Sequence, residues 1–80
     1  MPTVFHHAGF RFFFYSNEGE PREPVHIHVV KVGGEAKFWL KPVRVARSNG
    51  LDARTLRALA RIIAERSRLI EDAWHDHFGH

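Results

Sequence analysis

An 80-residue chain with no cysteine and a formal net charge of +3 has room for one small domain, and it excludes disulfides and thiolate metal sites. Its 44% hydrophobic and 26% charged residues are typical of a folded protein and exclude a disordered one. There is no apolar run near the roughly 20 residues of a membrane span and no signal-peptide pattern at the N-terminus. We therefore expect a single cytoplasmic domain over residues 1–80 that does not associate with membranes.

Residues 1–46 predict a sheet, because β-branched and aromatic residues alternate with polar ones between short turns. The predicted strands are, in chain order, Thr3–His6, Phe10–Ser16, Val25–Lys31, Glu35–Leu40 and a short one at Val43–Ala46. Ala8-Gly9 and Gly33-Gly34 predict two-residue hairpin turns, since glycine accepts the positive φ that such turns require. Residues 17–24 are polar and contain two prolines, so they predict a loop.

Residues 52–78 predict one long helix, with Asp52 as the N-cap and Gly79 as the C-terminal cap. A single apolar stripe recurs at steps of three and four residues. Its members are Leu56, Leu59, Ala60, Ile63, Ile70, Trp74 and Phe78. About 26 residues would reach about 39 Å, and a six-residue strand only about 20 Å. Half of the helix must therefore overhang the sheet, bend, or dock on something else.

The alternation of the strands separates the side chains into two faces. With Gly33-Gly34 as the turn, Val29 lies opposite Phe38 and His28 lies opposite Trp39. The predicted core is Phe5, Phe12, Phe14, Ile27, Val29, Phe38 and Leu40 beneath Leu56, Leu59 and Ile63. The fold class is therefore α+β, with an antiparallel sheet of four to five strands and one long C-terminal helix across one face.

The opposite side of the sheet, which we name the histidine face, combines aromatic rings with cations. It carries Arg11, Phe13, Tyr15, His26, His28, Lys37 and Trp39. If no helix covers it, such a surface favours an interaction, either with RNA or with a protein. The rings would then stack on bases and the cations would hold phosphates. Alternatively, a second chain or the long loop covers this face as ordinary core.

His26 and His28 project from the same side of a strand, and three interpretations remain open. The pair could bind a divalent metal, but two ligands are too few. A third would come from His6, from the glutamates of the loop (Glu18, Glu20 and Glu23) or from a second chain. One histidine could instead act as a general acid or base on RNA. The simplest alternative is that both hydrogen-bond to loop carbonyls. No cofactor is expected unless this metal is present.

The predicted helix carries a basic stripe formed by Arg54, Arg57, Arg61 and Arg68. Glu65 lies four residues after Arg61, and Asp72 lies four residues after Arg68, so part of the stripe is internally paired. The stripe is either a solvated face or a second contact for phosphates or an acidic partner.

The strings GFRFFFYSNE, EPVHIHV and GEAKFWLKPV, followed by a long helix, resemble a prokaryotic family called domain of unknown function four-one-six-zero. The resemblance spans nearly the whole chain. No activity is established for that family, and its genes commonly lie beside a second small family in pairs that look like toxin–antitoxin modules.

The resemblance implies a small component of a two-gene module that binds RNA or a cognate protein from the adjacent gene. It leaves open whether the protein is an enzyme and which member of the pair it would be. The alternatives are a non-enzymatic module that forms a homodimer or binds a partner, and a metal-binding protein that uses the His26–His28 pair.

Overall fold

The structure, a computed structural model, describes residues 2–17 and 23–79. Within these ranges the chain forms a five-stranded antiparallel sheet in which the strands are adjacent in sequence order, β1 to β5. The strands are β1 Thr3–His7, β2 Phe10–Phe13, β3 His26–Lys31, β4 Gly34–Leu40 and β5 Val43–Asn49. Two helices follow, α1 Ala53–Glu65 and α2 Ser67–Phe78. The predicted α+β class and the antiparallel sheet are therefore confirmed.

The loop predicted over residues 17–24 falls largely on residues 18–22, which lie outside the described residues. Before this loop, β2 ends at Phe13 and not at Ser16 as predicted. The chain leaves the strand there with Phe14 turned into the core, where its ring lies 5.3 Å from that of Trp74. Phe14 thus remains on its predicted core side, packed against Trp74 of α2.

The first hairpin forms as predicted, with Ala8 and Gly9 as its two turn residues. Both have positive φ, 53° and 83°, which matches the twist of the flanking strands. His7 pairs with Phe10 across this turn. The hairpin stacks Phe5 on Phe12, with ring centroids 4.3 Å apart.

The second hairpin has a different register from the predicted one. Its turn is Val32-Gly33, and Gly34 pairs with Lys31 as part of β4. Val29 consequently lies opposite Ala36, not Phe38, and His28 lies opposite Lys37, not Trp39. Every pair moves by two residues, so each side chain stays on its predicted face.

The reason for this register lies in the contact of the turn with residues after β5. A Cβ on Gly34 would lie 2.3 Å from Leu51 Cδ2, and a Cβ on Gly50 would lie 2.1 Å from the Gly33 carbonyl oxygen. Gly34 is thus required by the close approach of another segment. Only Gly33, with φ +88°, meets the positive-φ requirement of the turn.

The single long helix of the prediction is wrong, because the helix breaks at Arg66. Arg66 has φ −113° and ψ 20°, and its N–H is shared between the carbonyls of Ile62 and Ile63. Its guanidinium lies 4.6 Å from the centroid of the Phe5 ring, and Nη2 donates to His7 Nδ1 at 3.4 Å. The longest dimension of the molecule is 33 Å, less than the about 39 Å of a straight helix. The bend lets both halves of the apolar stripe reach the same core.

Both helices pack on the face predicted to hold the core. The buried cluster consists of Phe10, Phe12, Phe14, Ile27, Val29, Ala36, Phe38, Leu40, Leu59, Ile63, Ile70 and Trp74. Of the predicted core residues, Phe5 and Leu56 are half-buried and the others are fully buried. Neither described helix is long and apolar enough to cross a membrane.

Candidate nucleic-acid interface

Cross-strand pairing arranges the histidine face in rows that run across the sheet. One row joins Phe13, His28, Lys37 and Arg47 on β2 to β5, since each is the direct partner of the next. A second row joins His26, Trp39 and Arg44 on β3 to β5. The His26 ring lies 5.3 Å from that of His28 and 5.6 Å from that of Trp39. The predicted face assignment is therefore confirmed.

Three residues predicted to contact a ligand form a buried floor instead. Phe13 is 4%, His26 0% and His28 6% exposed. The floor is covered by long side chains of the same face: the Arg11 guanidinium lies 4.3 Å from the centroid of the Phe13 ring. The Tyr15 ring lies 4.6 Å from that of His28. The expectation that Phe13 stacks on a ligand is thus corrected, because its ring is already enclosed within the chain.

His26 is held by the loop before β3 and by α2. Its Nδ1–H donates to the carbonyl oxygen of Pro24 at 2.9 Å, and its ring lies 4.9 Å from that of Trp74. Of the three interpretations of the histidine pair, the loop-carbonyl hydrogen bond is the one that the structure contains at His26.

The described residues contain no group of three or more His, Asp or Glu side chains that could hold a metal ion. Glu18 and Glu20, two of the predicted third ligands, lie outside the described residues. Glu23 is directed towards Lys37, with Oε1 4.0 Å from Nζ. His6 is exposed on β1, where it pairs with Arg11.

Above the floor, cations and rings reach the surface. Tyr15 is exposed, and Arg11, Lys37 and Trp39 are half-buried. Lys37 Nζ lies 4.5 Å from the centroid of the Trp39 ring, in a cation–π contact. These four predicted residues are brought together, so the surface combines stacking rings with cations.

Sequence reasoning missed two exposed arginines on this surface, Arg44 and Arg47. They are three residues apart, so simple alternation would place them on opposite faces. A β-bulge between β4 and β5 shifts the register between Lys37 and Phe38, and Arg47 then faces the same side as Arg44. Within the described part of the chain, neither arginine has a carboxylate in salt-bridge range. The Arg-x-x-Arg spacing alone carried no signal for this arrangement.

The helix arginines form a separate surface. Arg54, Arg57 and Arg61 are exposed on α1, which packs on the other face of the sheet. The structure thus does not bring these three arginines to the histidine face.

At the start of α1, hydrogen bonds from the side chain and backbone N–H of Thr55 lower the pKa of the Asp52 carboxyl below its usual 3.8, and the charge of Arg57 adds to this effect.

Two concave sites flank the rows of the histidine face. The smaller is a cavity of about 120 Å³ lined by Tyr15, His28, Glu35 and Arg47, among others. The larger is an open groove of about 610 Å³ at the end of the sheet, lined by Trp39, Lys41, Arg44 and Trp74, among others. Of the two histidines predicted to transfer a proton, His28 borders the smaller of these two cavities and His26 borders neither.

Comparison with known proteins identifies the family of this chain. The family described as Domain of unknown function (DUF4160) matches residues 9–75, which include β2 to β5, all of α1 and most of α2. No curated protein and no solved structure matches the chain. Since the match covers most of its length, the chain belongs to the DUF4160 family of domains of unknown function.

Proposed function

We propose that this protein binds single-stranded RNA through the histidine face, as a small cytoplasmic component of a toxin–antitoxin-like two-gene module. The observation that carries the RNA-binding part is the juxtaposition of Arg44 and Arg47, which have no carboxylate partner among the described residues, with the accessible rings of Tyr15 and Trp39. Bases of a single strand stack on aromatic side chains while its phosphates follow a cationic surface. The two-gene part rests on the family resemblance alone.

The charges of the described residues favour a polyanion. The surface carries four cations, at Arg11, Lys37, Arg44 and Arg47, against two carboxylates, at Glu23 and Glu35. Lys37 is the cation nearest a carboxylate, and its 4.0 Å separation from Glu23 is at the limit of an ion pair. Phosphates would therefore meet cations with little competing ion pairing among the described residues.

The test compares two double variants that remove the same charge from different surfaces. Arg11→Gln/Arg47→Gln alters the histidine face, and Arg54→Gln/Arg57→Gln alters α1. Binding of a labelled single-stranded RNA is measured by fluorescence anisotropy at several salt concentrations. The first variant should bind about tenfold more weakly, equivalent to about 1.4 kcal/mol, and its slope of log K against log salt should fall by about 1.4.

The control variant on α1 should bind RNA as the wild type does, and thermal unfolding should show that both variants fold. Equal binding by all three proteins, or a loss confined to the α1 variant, would contradict the proposal. Substitution of His26 or His28 is a poor test, because removing a buried ring also removes packing.

The two-gene part is tested in cells. Expression of the wild type should slow bacterial growth, and co-expression of the neighbouring gene product should restore it. Arg11→Gln/Arg47→Gln should slow growth less than Arg54→Gln/Arg57→Gln does. Unchanged growth with every version would remove the effector role while leaving RNA binding to be judged by the anisotropy measurement.

A cognate protein is the second candidate, and the position of β5 favours it. β5 is the last strand of the sheet, and every residue of β5 after Val43 is exposed. A strand at a sheet edge presents backbone groups that can pair with a strand of another chain. Co-purification with the adjacent gene product and sedimentation would reveal a complex or a homodimer. A protein that sediments as a monomer and retains no partner would argue against this candidate.

A further inference from the structure

The groove at the end of the sheet is large for a chain of this size. Its volume of about 610 Å³ lies within the roughly 300–1,000 Å³ of small-molecule sites. It opens where the segment just before β3, the end of β4, the start of β5 and α2 meet. Its chemically informative lining residues are Glu23, Trp39, Lys41, Arg44, Trp74 and His75.

Two indole rings give the groove a fixed aromatic wall and floor. Trp74 is buried and contacts the rings of Phe14 at 5.3 Å and His26 at 4.9 Å. Trp39 is half-buried, with Lys37 Nζ 4.5 Å from its ring centroid. Because both rings are held by several partners, a flat aromatic ligand would bind without reordering them.

The charges around the groove leave one cation uncompensated among the described residues. Lys41 Nζ is paired with Glu71 Oε1 at 2.8 Å, and the Glu23 carboxylate lies towards Lys37. Arg44 is exposed and has no such partner. Its planar guanidinium suits bidentate recognition of one phosphate group. This balance fits a ligand that carries an aromatic ring and one phosphate.

We propose that this groove is a nucleotide-binding site, in which a base packs against Trp39 and the adjoining phosphate is held by Arg44. The nucleotide has two sources, a free mononucleotide or one unit of a single-stranded RNA that also follows the histidine face. Binding of a nucleotide unit of RNA rests on the proposed RNA binding, whereas binding of a free mononucleotide does not.

The groove provides its own probe, since Trp39 and Trp74 both line it and are the two tryptophans of the chain. Tryptophan emission is followed during titration with AMP, adenosine, ribose 5-phosphate and a short single-stranded RNA, with calorimetry as a second measurement. AMP should give a saturable change in emission. Adenosine and ribose 5-phosphate should each bind at least about tenfold more weakly, about 1.4 kcal/mol, because each lacks one of the two recognised groups.

The variants are Arg44→Gln, Arg44→Lys and the matched control Arg57→Gln on α1. Arg44→Gln should weaken AMP binding about tenfold, equivalent to about 1.4 kcal/mol, and leave adenosine binding unchanged. Arg44→Lys should restore part of the loss, and Arg57→Gln should bind AMP as the wild type does. If AMP does not bind, or binds equally well to Arg44→Gln, the inference is overturned.

The same titrations separate this inference from the proposed function. RNA that binds and depends on Arg11 and Arg47, without any AMP binding, would overturn the groove and support the RNA-binding face. AMP that binds in an Arg44-dependent manner, without any RNA binding, would support the groove and overturn the face. A shared loss of RNA and AMP binding in Arg44→Gln would support the groove as a subsite for one nucleotide of the RNA.

Discussion

The two faces of the sheet are buried to nearly the same depth by different means. On the helix-covered face, Ile27, Val29 and Phe38 are fully enclosed beneath Leu59 and Ile63 of α1. On the histidine face, Phe13, His26 and His28 are almost as inaccessible, but α1 packs on the other face and α2 reaches this side through the contact of Trp74 with the His26 ring. Over Phe13 and His28 the described cover is made of side chains of the same face, Arg11 and Tyr15, which lay their apolar parts over the rings.

This difference shows that side chains of the histidine face itself contribute to the burial of Phe13 and His28. Arg11 and Lys37 each contact an aromatic ring of the histidine face through a cation. Such a cover is polar outside and is held by individual side chains, so it should be easier to displace than a packed helix. Substitutions on the two faces can test this distinction.

The largest expected effect comes from exchanging a phenylalanine for alanine on each face. Phe38→Ala should lower the free energy of unfolding by about 3–5 kcal/mol, because it leaves a cavity between rigid layers. Phe13→Ala should cost about 2 kcal/mol, since the side chains above it can collapse into the space. Urea unfolding at equilibrium gives both values. Equal losses would show that the cover of Phe13 is as rigid as the helix layer.

A smaller effect is expected from the cover itself. Lys37→Ala removes the cation–π contact with Trp39 and should destabilise the protein by about 0.5–1 kcal/mol. It should also shift Trp39 emission to the red, as the indole becomes more hydrated. Lys41→Ala is the matched control: its lysine is mostly exposed in a pair with Glu71, and such pairs contribute about 0–1 kcal/mol. An unchanged emission spectrum in Lys37→Ala would contradict the covering role.

The smallest effect concerns the start of the helix layer and depends on pH. The folded pKa of Asp52 is lowered from 3.8, mainly by hydrogen bonds from Thr55. The resulting stabilisation is therefore fully present above about pH 4 and is lost as the pH falls through the lowered folded pKa. Asp52→Ala should be less stable than the wild type near neutral pH, and the difference should shrink below pH 4.

Urea unfolding at neutral and acidic pH measures the effect of Asp52→Ala. The control is Asp52→Asn, which keeps an N-cap acceptor but has no carboxyl to titrate. A difference between wild type and Asp52→Ala that grows in acid would contradict this assignment.

The two faces could be predicted from the sequence because side chains alternate between faces with a period of two. A register error of two residues therefore leaves each side chain on its predicted face. The turn was misplaced at Gly33-Gly34, yet Ile27 and His28 still fall on their predicted sides. The misplacement followed from treating both glycines as turn residues, when Gly34 is required by a contact with Leu51. Such a long-range contact has no local signature.

Three other features depended on tertiary contacts in the same way. The helix breaks at Arg66 without glycine or proline, where its guanidinium meets Phe5. Alternation assigned Phe13 to a face but said nothing about the neighbours that would enclose it. Arg47 was missed because the predicted strand ended at Ala46, whereas β5 extends to Asn49, and because a bulge decides its side of the sheet.

The bulge in β5 has a consequence for how charge is distributed over the molecule. Two residues of β5 occupy the place of one opposite β4, and this extra residue brings Arg44 and Arg47 to the same side. Deleting the single residue Ala46 would remove the bulge and leave the arginines two residues apart, so regular alternation would still place both guanidiniums on the histidine face. In relatives of this chain, the three-residue spacing therefore keeps both cations together only where the strand also carries a bulge: the same spacing in a regular strand would divide them between opposite sides of the molecule.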